Sequence, residues 1–271
     1  MLKLVAWNIA QRAAAWRELA RSDADLALLQ EATPPPADVV ANVKVDGTEW
    51  RTGVGRNWRT VVAQLSDRVQ VEWMDAKSLA EACAGELGVS RPGTLAAAHI
   101  TPPSGEPFIA VSVYGAWEKP HSSTKRDFIY ADASVHRLIS DLSVFVSKGQ
   151  HQNILVAGDL NILHGYGEHG DSYWARRYET VFSRMEALGF KFIGPEKPHG
   201  RQADPWPIEL PPTSGNVPTY YKRGESPTTC TRQLDFVFAS GRFADGLRVR
   251  ARNDPDDWGP SDHCRVEVEM G

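Results

Sequence analysis

Short apolar runs recur along this whole chain, and several stop on a residue able to do chemistry. Leu2, Leu4 and Ala6 alternate with Lys3, Val5 and Trp7, and that run ends at Asn8. Leu26 to Leu29 is a second run and ends at Gln30-Glu31; Ala110-Val111-Ser112-Val113 leads to Tyr114. Asn153–Gly158 leads to Asp159 and Asn161, Asp235 lies inside Gln233–Ala239, and Asp262-His263 precede Arg265–Glu269. Alternating or short continuous apolar runs read as strands. Strand ends present side chains to a common crevice. The chain is thereby constrained to a β-rich core with one polar site where its strands end.

Further strands fit Thr60–Leu65, Val69–Met74, Thr94–Ile100, Phe108–Tyr114 and Leu247–Ala251. Helical spacing places Trp16, Leu19 and Ala20 on one face, and predicts longer helices over Tyr130–Val146 and Tyr173–Leu188. Pro34-Pro35-Pro36 ends regular structure after the second strand. Pro195–Pro218 holds seven of the 18 prolines, so it reads as a long irregular loop, and its Trp206 and low net charge suit a pocket wall. Strands and helices mix throughout with no repeat or linker, which favours one α/β-type domain over residues 1–271.

The formal charge is −4. A nucleic-acid binder usually carries a basic balance, so a polyanionic substrate would need a local patch or a bound cation here. Cys83, Cys230 and Cys264 are odd in number and widely spaced, which excludes a C-x-x-C zinc site and argues against a disulfide framework. The first residues turn polar too soon for a signal peptide, and no run approaches the roughly 20 apolar residues of a membrane helix. A cytoplasmic monomer without a membrane span is the expectation.

Five fragments, in order, carry a resemblance: Trp7-Asn8, Leu29-Gln30-Glu31, Gly158-Asp159-Leu160-Asn161, Gln233-Leu234-Asp235-Phe236-Val237-Phe238 and Gly259-Pro260-Ser261-Asp262-His263. Together they resemble the endonuclease/exonuclease/phosphatase superfamily, which includes deoxyribonuclease I, exonuclease III, apurinic endonucleases, neutral sphingomyelinases and inositol-polyphosphate phosphatases. The resemblance spans Asn8 to His263. It implies an α+β, four-layer αββα sandwich: two mixed β-sheets packed face to face, with helices outside. It also implies a phosphoesterase that uses Mg2+, or Mn2+ in its place.

The resemblance implies roles as well. Glu31, helped by Asn8, would bind the metal, which suits the habit of magnesium for one or two carboxylates plus water and phosphate. Asp262 would be an additional metal or water ligand. Asp159 would orient and deprotonate the attacking water, and Asn161 would help hold the phosphate or the ligand set. Asp235 and His263 would form a carboxylate–imidazole pair that stabilises charge on the phosphoryl oxygens. Tyr114 matches a strand-end position that contacts the phosphate region, although Tyr114-Gly115-Ala116-Trp117 departs from the Tyr-x-Pro-Asn of apurinic endonucleases.

Each residue also has a plainer reading. Glu31 could be a solvated charge, Asn8 a turn residue, Asp159 and Asn161 an Asx-turn, Tyr114 a rim aromatic, and Asp235–His263 a structural hydrogen bond. Arg12 and His164 are candidate substrate contacts; His136 reads as a surface histidine. Lys119, Lys125 and Arg126 are offset by Glu118 and Asp127 and form no clear basic patch. Three functions follow: a nuclease or other phosphodiesterase acting on nucleic acid, an enzyme for a nucleotide, phosphoinositide or phospholipid, or a non-catalytic binding protein on this fold.

Overall fold

The structure is a computed structural model that describes residues 1–53, 56–119, 130–146 and 152–271. In chain order its elements are β1 (Leu2–Asn8), α1 (Ala13–Leu19), β2 (Leu26–Ala32), β3 (Arg59–Gln64), β4 (Gln70–Trp73), β5 (Lys77–Ser78), β6 (Gly88–Val89), β7 (Leu95–Thr101), β8 (Phe108–Tyr114), α2 (Asp132–Leu142), β9 (Ile154–Asp159), α3 (Ser172–Ala187), β10 (Phe190–Gly194), β11 (Asp235–Ser240), β12 (Leu247–Arg252) and β13 (Arg265–Met270). The expected helix over Tyr130–Val146 is shorter and finishes in a 3-10 turn at Ser143–Phe145. Strand β10 and the two-residue pair β5 and β6 lack a counterpart in the sequence reading. Lys125, Arg126 and Asp127 lie outside the described residues.

Strands β5 and β6 pair in parallel as a separate two-stranded sheet, and the other strands build two large sheets. One has the order β12-β13-β1-β2-β3, the other β10-β11-β9-β8-β7-β4. Each is mixed: β1 runs parallel to β2 and β8 parallel to β9, and the other neighbours are antiparallel. The C-terminal ends of the parallel strands and the N-terminal ends of β11 and β13 therefore meet at one edge of the molecule. That is the edge where the polar strand-end residues lie.

The period of two along each strand sorts side chains into layers. Leu2, Leu4 and Ala6 of β1, Leu26 and Leu28 of β2, Phe108 and Ala110 of β8, Leu155 and Ala157 of β9, and Val237 and Ala239 of β11 pack together between the sheets. The alternate residues pack outward, Val5, Trp7, Ala27 and Leu29 against α1 and Val111, Val156, Phe236 and Phe238 against α2 and α3. Burying one such large apolar side chain contributes roughly 1.5–3 kcal/mol. A charge in place of Val237, fully enclosed between the sheets, would break the packing.

Helix α3 shows how sequence sets an element. Asp171 caps it by accepting a hydrogen bond from the Tyr173 amide at 2.8 Å. Tyr178, Val181, Phe182 and Met185 bury one face. Gly189, at φ 89°, ends it in a conformation that L side chains resist.

The proline-rich segment 195–218 is irregular, as expected. Trp206 packs against the outer cluster and donates its indole N–H to the Leu210 carbonyl at 3.2 Å. Asn216 donates to the His164 carbonyl at 2.8 Å. The chain meets the polar edge at Thr219 and Tyr220, just past this segment. A pocket wall formed by its body was expected; Trp206 and Leu210 instead pack against the outer cluster, while His199 and Arg201 hydrogen-bond Ala251 and Asn253.

Candidate active site

Continuing each inter-sheet row by one pleat replaces apolar residues with polar ones: Asn8 after Ala6, Gln30 after Leu28, Ser112 and Tyr114 after Ala110, Asp159 after Ala157, and Asp235 before Val237. Asp159 and Asp235 are cross-strand partners. Gln30 and Ser112 form the floor. Gln30 Nε2 donates to Ser112 Oγ at 2.9 Å, and that hydroxyl donates to the Leu29 carbonyl at 2.8 Å. Both are fully buried; these bonds satisfy Gln30 Nε2 and Ser112 Oγ, while Gln30 Oε1 has no partner among the described residues.

Glu31 does not obey the pleat. Ala27, Leu29 and Ala32 all face the α1 side, which leaves Glu31 as an extra residue in a bulge between Leu29 and Ala32. Its φ of 47° turns its side chain toward the cleft. Tyr114 Oη donates to Glu31 Oε1 at 3.0 Å, and Gln11 Nε2 lies 3.4 Å from Oε2. Ala10, Gln11 and Asn161 also hold positive φ around the same cleft. Such conformations cost about 1–3 kcal/mol each and gather where a site demands them.

Asn8 joins the two halves. Its Nδ2 lies 2.9 Å from Asp159 Oδ2 and 3.4 Å from Glu31 Oε1, and its Oδ1 accepts from the Ala10 amide at 3.0 Å. Asp159 Oδ1 accepts from the Asn161 amide at 2.8 Å, so the Asx-turn reading of this pair holds. Asn161 Nδ2 donates to the Gly115 carbonyl at 3.1 Å and lies 3.2 Å from Asp159 Oδ2. Gly158 permits the close approach beneath: a Cβ there would stand 1.9 Å from the Val113 carbonyl oxygen and 2.9 Å from Gln30 Nε2.

On the other side, His263 Nδ1 pairs with Asp235 Oδ2 at 2.8 Å, and its Nε2 stands 3.7 Å from Asp159 Oδ2. Several contacts fix this ring. The His263 carbonyl accepts from Trp7 Nε1 at 2.8 Å, the His263 amide donates to Ser261 Oγ at 3.2 Å, and that hydroxyl donates to the Asn8 carbonyl at 2.7 Å. Tyr220 lies against the imidazole at 4.8 Å between ring centres. Thr219 Oγ1 accepts from the amides of Leu234 and Asp235 at 3.0 and 3.1 Å and anchors the start of β11.

Asn8, Asp159, Asp235 and His263 are all buried. Burial lowers the His263 pKa, but the charges of Asp235 and then Asp159 outweigh it and hold the imidazole up to about 10. Burial pushes Asp159 up to about 7; Asp235 adds to the rise, while His263 and Asn8 oppose it. Tyr114 is pushed well above the ordinary tyrosine range by burial and by the Glu31 carboxylate beside it.

Two ligand sets compete as the place for a cation. Asp159, Asp235 and His263 offer atoms within 4.8 Å of one another. There, however, Asp235 and His263 already neutralise each other through a hydrogen bond. Glu31 and Asp159 offer carboxylate oxygens on either side of the Asn8 amide group, whose Nδ2 faces both and whose Oδ1 is taken by the Ala10 amide. Oxygen donors of this kind are what a hard divalent cation takes. Asp262 is half-buried beside this edge, with Ser261 Oγ at 3.4 Å, and its charge reaches His263.

The remaining candidates separate. Arg12 is exposed at the start of α1, past the end of β1. His164 lies on the outer face of the second sheet, its ring 4.2 Å from that of Phe182 and 5.0 Å from that of Phe192, and burial lowers its pKa to about 4. The expected substrate contact by His164 thus gives way to an aromatic cluster, because the chain turns across the sheet edge after Asn161. His136 is half-buried and touches Thr180 and Arg184 of α3 at 3.2 and 2.7 Å. The sequence reading missed Tyr220, Thr219, and the Arg56–Trp58 pair beside Tyr114. All come from loops without periodicity; only the Tyr220-Tyr221 doublet before Lys222 hinted at an aromatic rim.

The endonuclease/exonuclease/phosphatase family model matches residues 5–263, and the chain belongs to that family. No curated protein sequence matches it. Solved structures share the fold at low identity. The catalytic domain of Xenopus laevis APE2 is 18% identical, with a TM-score of 0.67 over 99% of this chain and 91% of that one. The endonuclease domain of TRAS1, a telomere-specific non-LTR retrotransposon, is 16% identical, with a TM-score of 0.63 over 100% and 98%. A mannosyl-6-phosphatase from Bacteroides thetaiotaomicron VPI-5482 is 12% identical, with a TM-score of 0.57 over 100% of both chains.

Proposed function

We propose that this member of the endonuclease/exonuclease/phosphatase family is a magnesium-dependent phosphodiesterase, and that nucleic acid is its substrate. One observation carries the reading: Asp159 lies between Asn8, at 2.9 Å, and His263 Nε2, at 3.7 Å, while Asp235 holds the far side of the imidazole. A base and a cation-like donor thus face one point from two sides.

In this reading Glu31, helped by Asn8, would hold the magnesium ion, with Asp262 as an additional ligand to the metal or a water, and Asp159 stays free to act as a base. When bound, the ion supplies positive charge to the phosphoryl oxygens. Asp159 accepts the proton of the attacking water. Its raised pKa suits a base working near neutral pH. His263, kept cationic by Asp235, donates from Nε2 to a phosphoryl oxygen and offsets the charge that builds there. Asn161 keeps the Asp159 carboxylate turned toward the water, and Tyr114 fixes Glu31. The ester oxygen leaves opposite the water; positioning and charge supply most of the acceleration.

The acidic balance and the full-length likeness to a phosphatase support a second reading, hydrolysis of a small phosphate ester. The three free cysteines suit a cytoplasmic setting, and no described helix is long and apolar enough to cross a membrane. A monomer of one domain over residues 1–271 completes the proposal.

The test is hydrolysis of plasmid DNA, a short RNA and bis-para-nitrophenyl phosphate with magnesium, manganese or a chelator. We expect cutting with metal, none with chelator, and restoration on adding magnesium back. Cleavage that persists in chelator sinks the metal assignment. Cleavage of none of the three under any condition moves the search to phosphomonoesters and lipids.

A further inference from the structure

Beside the reacting centre lies a cluster that the mechanism above leaves idle. Tyr114, whose hydroxyl holds Glu31, meets the edge of Trp58 at 5.1 Å between ring centres. The Arg56 guanidinium carbon stands 4.6 Å over the Trp58 ring. Arg56, Trp58, Tyr114 and Glu31 thus form a continuous line from the rim to the cleft floor. Arg56 and Arg91 are both half-buried, and among the described residues neither forms an ion pair. Burial, and next the like charge of Arg91, lower the Arg56 pKa, against the opposing pull of Tyr114 and Glu31.

Among the described residues Arg56 has no ion-pair partner, so its guanidinium can take an anion from outside. Stacking over Trp58 occupies the face of the guanidinium and leaves its N–H edge open. That edge matches two oxygens of a phosphate. The aromatic ring limits where the fork can go, which a flexible surface arginine lacks.

We infer that Arg56, seated on Trp58, is a specificity-determining subsite for a second phosphate group of the substrate, next to the phosphate being cut. This rests on the phosphoesterase reading for its catalytic consequence, though not for the binding itself. A flanking nucleotide phosphate and the second phosphate of an inositol bisphosphate share the chemistry that this subsite takes.

The test compares dTpdT with its 5′-phosphorylated and 3′-phosphorylated forms, in the wild type, Arg56→Gln and Arg56→Lys. We expect the added phosphate at one end to raise kcat/KM at least tenfold in the wild type. Arg56→Gln should remove that gain while changing dTpdT hydrolysis less than twofold; Arg56→Lys should keep a part of it. A wild type indifferent to both terminal phosphates overturns the inference, as does a preference that survives in Arg56→Gln. A second arm needs no turnover: thymidine 3′,5′-bisphosphate and inositol 1,4-bisphosphate are titrated into each protein in chelator and followed by calorimetry. At least one should bind about tenfold more weakly to Arg56→Gln than to the wild type. Equal affinity for both, with an unchanged melting temperature, also overturns it. Because this arm is independent of hydrolysis, failure of the phosphoesterase reading leaves it decisive.

Discussion

Two histidines flank the second sheet, one on each face, and burial acts on both in the same direction. His263, between the sheets, is held up to about 10. His164, on the outer face among Phe182, Phe192 and Phe236, is pushed down to about 4. The difference is the company. Two carboxylates outweigh burial for His263, while aromatic edges and faces leave burial unopposed for His164. A buried imidazole is therefore a charge donor or a packing ring according to what stands next to it, and the fold supplies both.

The largest expected effect comes from removing the charged member of the comparison. His263→Ala and Asp159→Asn should each lower hydrolysis of bis-para-nitrophenyl phosphate by about 10²–10⁴-fold. Steady-state rates within tenfold of the wild type would leave the site without its assigned parts.

The next experiment makes His263 resemble His164. Asp235→Asn keeps the shape and removes the charge that sustains the imidazolium, so activity should drop roughly 10²-fold. In the wild type, NMR of histidine ring carbons should find His263 still protonated at pH 8 and His164 still neutral at pH 5. Asp235→Asn should move the His263 titration downward. A His263 signal that titrates near 6.5 in the wild type contradicts the electrostatic account.

Stability should follow the two histidines in opposite directions. The folded pKa of His164 lies below its unfolded value near 6.5, so its contribution is complete above about pH 6.5 and lost as pH falls toward 4. The raised pKa of His263 makes its contribution complete below about 6.5 and lost as pH rises toward 10. His164→Phe should flatten the acid limb of a melting-temperature profile and leave the alkaline limb in place. An unchanged acid limb would remove His164 as its cause.

The smallest effect sharpens the separation of the faces. His164→Phe should change kcat/KM less than twofold, because the ring packs with phenylalanines away from Asp159 and His263. A tenfold loss would return His164 to the cleft as a substrate contact.

The sequence made one face of this comparison far more legible than the other. Their places at the ends of β1, β8 and β9 brought Asn8, Tyr114 and Asp159 to one crevice, and alternation in β11 set the face of Asp235. The face of Asp235, opposite Phe236 and Phe238, followed from the pleat alone. His164 was misplaced because nearness in sequence to Asp159-Leu160-Asn161 does not fix which face a turning chain will take. Strand β10 was missed because Phe190–Gly194 is short and runs straight into Pro195; pairing with β11 makes it a strand. Tyr220, Trp58 and Arg56 reach the cleft from loops whose paths are set by distant packing. Glu31 was found through its motif, whereas the pleat would have pointed it toward α1.

That last exception has a genetic consequence. Glu31 is a surplus residue in the ladder between β2 and β3: with it omitted, Leu29, Gln30 and Ala32 already alternate correctly between the two cores. A single-codon deletion would thus close the strand without disturbing either layer and remove the carboxylate of the proposed cation site in one event. Descendants of such a deletion would be folded, inert proteins, free to be recruited for binding alone. A protein lacking Glu31 that melts close to the wild type yet neither binds magnesium nor cleaves phosphate esters would be the laboratory copy of that ancestor.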